Sequence, residues 1–220
     1  MPGRQAGSDG RAGRLKPPGR AHAVIRVGDL RPGDAVLDVG CGEGSVALEV
    51  APLVGRLHGL DKRADRVERA AEIAAERGIR NASFEAAAIQ DFPLEPRSWD
   101  VTLFMRIWGK QASGRTVSEA ELERVLDATR RQAIIQAGKL RSQAETRRIL
   151  ELCHDKGFDT GLFKRQHLIV ANRRGAGAQV RERPELVVVS GSSGPALVPA
   201  ESVPDHPMSS GHGPEGLPDA

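Results

Sequence analysis

The residues best suited to do chemistry lie in one short stretch, Val36-Leu37-Asp38-Val39-Gly40-Cys41-Gly42-Glu43-Gly44. An apolar run leads into an aspartate, three glycines alternate with other residues, and a helical pattern starts at Ser45. Such a loop lets a small ligand approach bare backbone at the carboxyl end of a buried strand. A dinucleotide needs G-x-G-x-x-G, so that its pyrophosphate meets the helix N-terminus. Here the pattern is G-x-G-x-G, and Ser45 stands where the last dinucleotide glycine belongs. No Gly-Lys-Ser/Thr follows, which excludes a P-loop. Asp38 precedes the loop by two residues, where a carboxylate repels a pyrophosphate and attracts an ammonium group.

These features favour a zwitterionic, cationic ligand such as S-adenosylmethionine and disfavour a nicotinamide-dependent oxidoreductase. Asp61 ends a second apolar run, about twenty residues after the first loop glycine, where an acidic side chain can accept hydrogen bonds from both hydroxyls of an adenosine ribose. Both nucleotide classes use this device, so Asp61 alone does not separate them.

The elements that must position these residues alternate along the chain. Strands are predicted at Ala35–Val39, Leu57–Leu60, Ala82–Ala87, Val101–Met105 and Ala133–Gln136. Helices are predicted from Ser45 to Ala51 and from Ala64 to Arg77, the second with Val67, Ala70, Ala71, Ala74 and Ala75 on one small-residue face and Gly78 as its stop. Ser118 with Glu121, and Ser142 with Glu145, form capping boxes that open two more helices, the last ended by Gly157. Asp159–Phe163 and His167–Ala171 read as a hairpin across Lys164-Arg165-Gln166. The alternation implies a doubly wound, mostly parallel α/β sheet covered on both faces.

Of the 220 residues, 39% are hydrophobic and only 3% aromatic, with no Tyr, so aliphatics and alanine must fill the core. Residues 1–20 are predicted to be a disordered basic arm of net charge +4, and 175–220 a disordered Gly/Pro/Ser-rich tail of net charge −4. Leu186–Val189 is the exception in that tail, an apolar run that suits a short edge strand or a sticky peptide. The folded domain is then 21–174. No run approaches the ~20 apolar residues of a membrane span, and the first residues carry no signal-peptide core, so the expected location is cytoplasmic. Cys41 and Cys153 form neither a metal-ligand pair nor a disulfide framework, and no metal site is expected.

Residues from about 33 to 173 resemble the class I S-adenosylmethionine-dependent methyltransferases. Asp38-Val39-Gly40-Cys41-Gly42-Glu43-Gly44 is similar to the family's first motif, Gly59-Leu60-Asp61 to its second, and Trp99-Asp100-Val101-Thr102-Leu103-Phe104 to the fourth strand that leads to the substrate side. The resemblance implies a seven-stranded sheet with a reversed C-terminal strand. It implies that Asp38 and the glycine loop hold the methionine end of the cofactor and that Asp61 holds the ribose. The cofactor-binding set it suggests is Asp38, Gly40, Cys41, Gly42, Gly44, Asp61, Lys62, Ala88, Ile89 and Met105. One departure concerns adenine. The family often has Gly-Asp after the third strand, the aspartate bonding the adenine amino group, and here Ala87-Ala88 stand there. Recognition then falls to the backbone N–H of Ile89, with Gln90 or Asp91 as substitutes.

Catalytic residues are less legible. His22, Arg106 and Trp108 are the candidates: His22 over the site, Arg106 to orient a carboxylate or phosphate, Trp108 to stack on a planar acceptor. Lys139 and Arg141 follow the fifth strand on the same rim and, with Arg106, suggest an acidic acceptor. The Asn-Pro-Pro-Tyr/Phe signature of base or amide nitrogen methylation is absent, which disfavours a nucleic-acid substrate although the basic arm could touch one. The expected function is S-adenosylmethionine-dependent methyl transfer to a small molecule, and the alternative is a non-catalytic binding or scaffold protein of the same fold.

Overall fold

A computed structural model describes residues 19–108, 118–137, 143–163, 167–178, 186–191 and 194–199. The first half of the chain runs helix α1 (Gly19–Val27), strand β1 (Ala35–Val39), helix α2 (Ala47–Val50) continued by a 3₁₀ turn (Ala51–Leu53), β2 (Arg56–Asp61), α3 (Ala64–Glu76) and β3 (Ala82–Ala86). The second half runs β4 (Trp99–Trp108), α4 (Glu119–Ala128), β5 (Thr129–Ala137), α5 (Gln143–Asp155), β6 (Phe158–Phe163), β7 (Leu168–Arg173), β8 (Leu186–Gly191) and β9 (Gly194–Pro199).

The strands form one mixed sheet in the order β3-β2-β1-β4-β5-β7-β6-β8-β9. β1 pairs in parallel with β2 and β4, β2 with β3, and β4 with β5. β7 is the reversed strand, antiparallel to both β5 and β6. The strand order changes direction between β1 and β4, so the crevice at that switch opens at the carboxyl end of β1.

Every residue of β1 is buried, as a central parallel strand requires. Its side chains alternate between two cores. Leu37 and Val39 pack with Leu60, Phe104, Leu122, Leu126 and Ile149 beneath α4 and α5. Val36 packs on the other face with Leu57, Leu103, Val24, Val46 and Val50 beneath α1 and α2. Asp38, two residues on from Val36, shares that second face, next to the glycine loop.

Both ends of the chain add structure to the sequence expectation. Within the predicted tail from 175, β8 (Leu186–Gly191) and β9 (Gly194–Pro199) extend the sheet beyond β6. For Leu186–Val189 the edge-strand alternative is the one observed. At the other end α1 begins at Gly19, so Arg20 belongs to the folded part rather than to the basic arm. Residues 1–18, Ser142 of the second capping box and the Lys164-Arg165-Gln166 turn lie outside the described residues.

The helices follow their local signals with one correction. Ser118 and Glu121 make both hydrogen bonds of a capping box at α4, and Gly78 and Gly157 take φ of +67° and +83° after α3 and α5. On α3 the buried face is Val67, Ala70, Ile73 and Ala74, while Ala71 and Ala75 are exposed. Burying Ile73 contributes roughly 1.5–3 kcal/mol, more than two alanines can offer, so the helix turns to cover the isoleucine. Among the described residues no helix is long and apolar enough to cross a membrane.

Candidate cofactor site

The glycine loop closes onto the end of β2. The N–H groups of Gly40 and Cys41 both donate to the carbonyl of Leu60, at 2.7 and 2.8 Å. Gly40, Gly42 and Gly44 take φ of +76°, +56° and +78°, the left-handed region in which a side chain is strained. At Gly44 space is short as well, since a Cβ would come within 3.0 Å of Leu48 and 3.2 Å of the Ala70 Cβ. At Gly42 the reverse holds: the nearest atom to a Cβ would be the Arg66 Nη1, 3.9 Å away. Gly44 thus seals the loop against α2 and α3, and Gly42 leaves backbone open to a ligand.

Asp61 is fixed by that loop. Its Oδ2 accepts from the Gly42 N–H and its Oδ1 from the Arg63 N–H, both at 3.0 Å. A carboxylate oxygen has two acceptor positions, so each keeps one for a ligand hydroxyl. Lys62 beside it is exposed.

Asp38 is only 1% exposed. Burial first, and then the charge of Asp61, push its carboxyl up to about 7, while the charge of Arg20 on α1 opposes the rise. The group is therefore divided between its protonated and ionised forms at neutral pH, and a cation brought to the loop would favour the ionised form. The same surroundings push the Cys41 thiol up, by burial and by the two carboxylates, so Cys41 is no thiolate nucleophile at neutral pH.

The third wall is the loop after β3. The Ala87 N–H donates to the carbonyl of Asp61 (3.1 Å), and the carbonyl of Ala88 accepts from the N–H groups of Asp91 (2.9 Å) and Phe92 (3.2 Å). Arg124 of α4 clamps this loop, its guanidinium donating to the carbonyls of Ile89 (2.9 Å), Gln90 (3.0 Å) and Phe92 (3.0 Å). Below it, His58 stacks on Phe92 and Trp99, and Arg56 lies over the Trp99 ring. Ile89 is buried, and its N–H donates to no group among the described residues. Gln90 and Asp91 are exposed.

The structure thus gathers Asp38, Gly40, Cys41, Gly42, Gly44, Asp61, Lys62, Ala88 and Ile89 at the carboxyl ends of β1, β2 and β3. Met105 is packed in the core with Val24, Val27 and Val46. His22 is exposed on α1, and the α1 residue whose charge reaches Asp38 is Arg20. Arg106 and Trp108 sit on the last three residues of β4, with their side chains outside the described part, as are Lys139 and Arg141 entirely. Sequence reading missed Arg20 and Arg124. Both are arginines on helices, where an ion facing solvent and one that organises a site look alike.

A family model described as a methyltransferase domain matches residues 30–157. Over 78 residues the chain is 32% identical to the uncharacterized methyltransferase YcgJ of Bacillus subtilis (strain 168), covering 36% of this chain and 31% of that protein. Over 83 residues it is 32% identical to the aklanonic acid methyltransferase DauC of Streptomyces sp. (strain C5), covering 36% of this chain and 38% of that protein. The matched stretch thus spans only about a third of each relative's length. In three dimensions the YcgJ crystal structure superposes with a TM-score of 0.55 at 15% identity, over 70% of this chain and 98% of that one. Magnesium protoporphyrin IX methyltransferase from Synechocystis PCC 6803, crystallised with bound S-adenosylmethionine, superposes at 0.52 and 21% identity, over 70% and 76%. At such identities the likeness is one of fold.

Proposed function

Because the chain belongs to the methyltransferase-domain family, matched over more than half its length, we propose that it binds S-adenosylmethionine at the glycine loop and passes the methyl group to a small-molecule acceptor. The observation that carries this reading is the open backbone at Gly42 between two carboxylates, Asp38 and Asp61. Asp61 accepts from the ribose hydroxyls through the acceptor positions left free by Gly42 and Arg63. Asp38 lies beneath the loop and attracts the ligand ammonium through a low-dielectric interior, where a charge acts strongly. The Ile89 N–H, in the loop whose carbonyls Arg124 holds, meets the adenine ring edge. When bound, the cofactor supplies an already activated sulfonium methyl, so the residues around it need chiefly to orient an acceptor atom in line. For a well-held pair, orientation contributes up to ~7–11 kcal/mol.

A small-molecule acceptor is supported by DauC, whose name states aklanonic acid as its substrate. Another relative is named as an rRNA methyltransferase, so the acceptor class rests on the missing nucleic-acid signature together with DauC. An acidic acceptor belongs to the proposal through Arg106, Lys139 and Arg141. Cytoplasmic residence belongs to it through Cys41 and Cys153, which are buried free thiols. Ala88 keeps a second reading open, a binding protein that retains the loop without turnover.

Calorimetric titration with S-adenosylmethionine, S-adenosylhomocysteine and NAD separates these readings. The two sulfur ligands are expected to bind in the micromolar range and NAD not at all. Label moving from the cofactor to the small-molecule fraction of a cell extract supports the enzyme; binding without transfer supports the scaffold.

A further inference from the structure

Opposite the glycine loop, at the amino ends of β1, β4 and β5, lies a cleft of about 610 Å³. Six arginines line it: Arg31, Arg97, Arg130, Arg131, Arg173 and Arg174. The two carboxylates that share the lining are already engaged on both oxygens. Asp34 accepts from Arg131 and from the Arg31 N–H, at 2.5 and 2.7 Å. Asp100 accepts from Arg130 and from the Ala35 N–H, at 2.6 and 2.9 Å.

Some of the arginines have structural duties. Arg131 is buried against Asp29 and Asp34. Arg173 donates to the carbonyls of Leu126, Thr129 and Lys156 and thereby caps the carboxyl ends of α4 and α5. Arg174 pairs with Asp159. The others keep donors to spare. Arg130 uses one nitrogen on Asp100 with its side chain 54% exposed, and Arg31, 47% exposed, uses Nε and Nη2 on Asp29 and the Gly177 carbonyl and keeps Nη1. Arg97 has no acidic or carbonyl partner for its guanidinium among the described residues. Its backbone is held at φ +51° by an N–H bond to the Asp127 carbonyl, which keeps a non-glycine residue in the left-handed region at the cleft wall. Its charge also lowers the affinity of Arg173 for its proton, behind the effect of burial.

Each carboxylate oxygen in the lining already accepts from an arginine or a backbone N–H, and guanidinium donors outnumber these acceptors, so the complement of the cleft is an anionic ligand rich in acceptors. The spare donors come from three separate segments: the approach to β1, the approach to β4, and β5. A carboxylate is flat and suits one guanidinium fork, whereas a tetrahedral phosphate offers oxygens in several directions. We infer that this cleft is a binding site for a phosphate-type oxyanion, bridged by Arg31, Arg97 and Arg130 and separate from the cofactor site. The cleft volume lies within the range of small-ligand pockets and exceeds a single phosphate, which fits a ligand with more than one phosphate group.

The test follows the melting temperature of the full chain against pyrophosphate, at ionic strength matched with chloride. A parallel arm uses a single-stranded oligonucleotide at equal phosphate concentration. The variants are Arg97→Gly, which suits the positive φ and so keeps the fold, and Arg130→Ser. A saturable rise is expected in the wild type, with affinity about tenfold or more weaker in each variant, the scale of one lost charge-assisted hydrogen bond. The S-adenosylhomocysteine response should be unchanged in both. A stronger response to the oligonucleotide identifies a nucleic-acid backbone as the source of the phosphate, and a stronger response to pyrophosphate identifies a free polyphosphate. Absence of a saturable response to either probe, or equal responses in wild type and variants, overturns the site.

Discussion

At the carboxyl ends of β1 and β2 the sheet presents two carboxylates, Asp38 and Asp61, under a loop of open backbone. At the amino ends of β1, β4 and β5 it presents six arginines around two carboxylates, each bonded on both oxygens. One sheet carries both poles, and β1 reaches both, yet the charge is sorted between them. At the amino pole part of the reason is structural, because the carbonyls ending α4 and α5 point that way and arginine satisfies them. At the carboxyl pole no such need explains Asp38. A carboxyl that burial pushes up to about 7 makes the fold less stable at neutral pH. The difference separates residues that serve the fold from residues kept at a cost to it.

The largest effect expected at the carboxyl pole is from Asp61→Ala. Losing the acceptor for two ribose hydroxyls removes two hydrogen bonds to a charged group, roughly 1.5–3 kcal/mol each, so cofactor affinity should fall by about a hundredfold or more in calorimetry. Asp38→Asn should act in opposite directions on folding and binding. The folded-state value of Asp38 is raised from 3.8 to about 7. Its cost is therefore absent below the unfolded value, grows as pH rises between the two, and is complete above about 7. Urea unfolding at pH 8 should show the variant more stable, by up to about 4 kcal/mol, with the pH 4–7 slope reduced; cofactor affinity should drop. A variant no more stable than wild type at pH 8 would mean that Asp38 has a partner that offsets its burial.

Smaller effects are expected at the third wall. Arg124→Ala removes three bonds to loop carbonyls, so cofactor affinity should weaken about tenfold while Arg124→Lys recovers part of it. Protection of the Gln90 and Asp91 amides from hydrogen exchange should fall in parallel. Ala88→Asp places a carboxylate directly after β3 and should tighten S-adenosylhomocysteine binding several-fold, about 1 kcal/mol. If it weakens binding, adenine does not lie against Ala88.

Much of the fold was legible because its signals are local. The apolar run at Val36–Val39, the glycines at 78 and 157, and the Ser118–Glu121 box each act within a few residues, and each stands where expected. The loop was legible for the same reason, since only glycine takes three left-handed positions in five residues cheaply. What failed depends on distant partners. The buried face of α3 is decided by what Ile73 meets at Leu48 of α2 and Phe84 of β3 rather than by the row of alanines. Leu186–Val189 showed itself as apolar, but its place beside β6 is a non-local choice. Arg20, Arg97 and Arg124 act through space on Asp38, Arg173 and the Ile89 loop, and nothing adjacent to them in sequence marks that.

Proton release tests the carboxyl pole most directly. Calorimetry of S-adenosylmethionine binding at pH 6, in two buffers of different ionisation enthalpy, counts the protons that leave when the cofactor arrives. With the Asp38 carboxyl held near 7 in the free protein, it is mostly protonated at pH 6 and should ionise as the ammonium binds. The result predicted is release of close to one proton at pH 6, falling to about zero at pH 8.5 and lost in Asp38→Asn. No binding, or binding with no buffer dependence at pH 6, would contradict the assignment of this loop to a cationic cofactor held over Asp38.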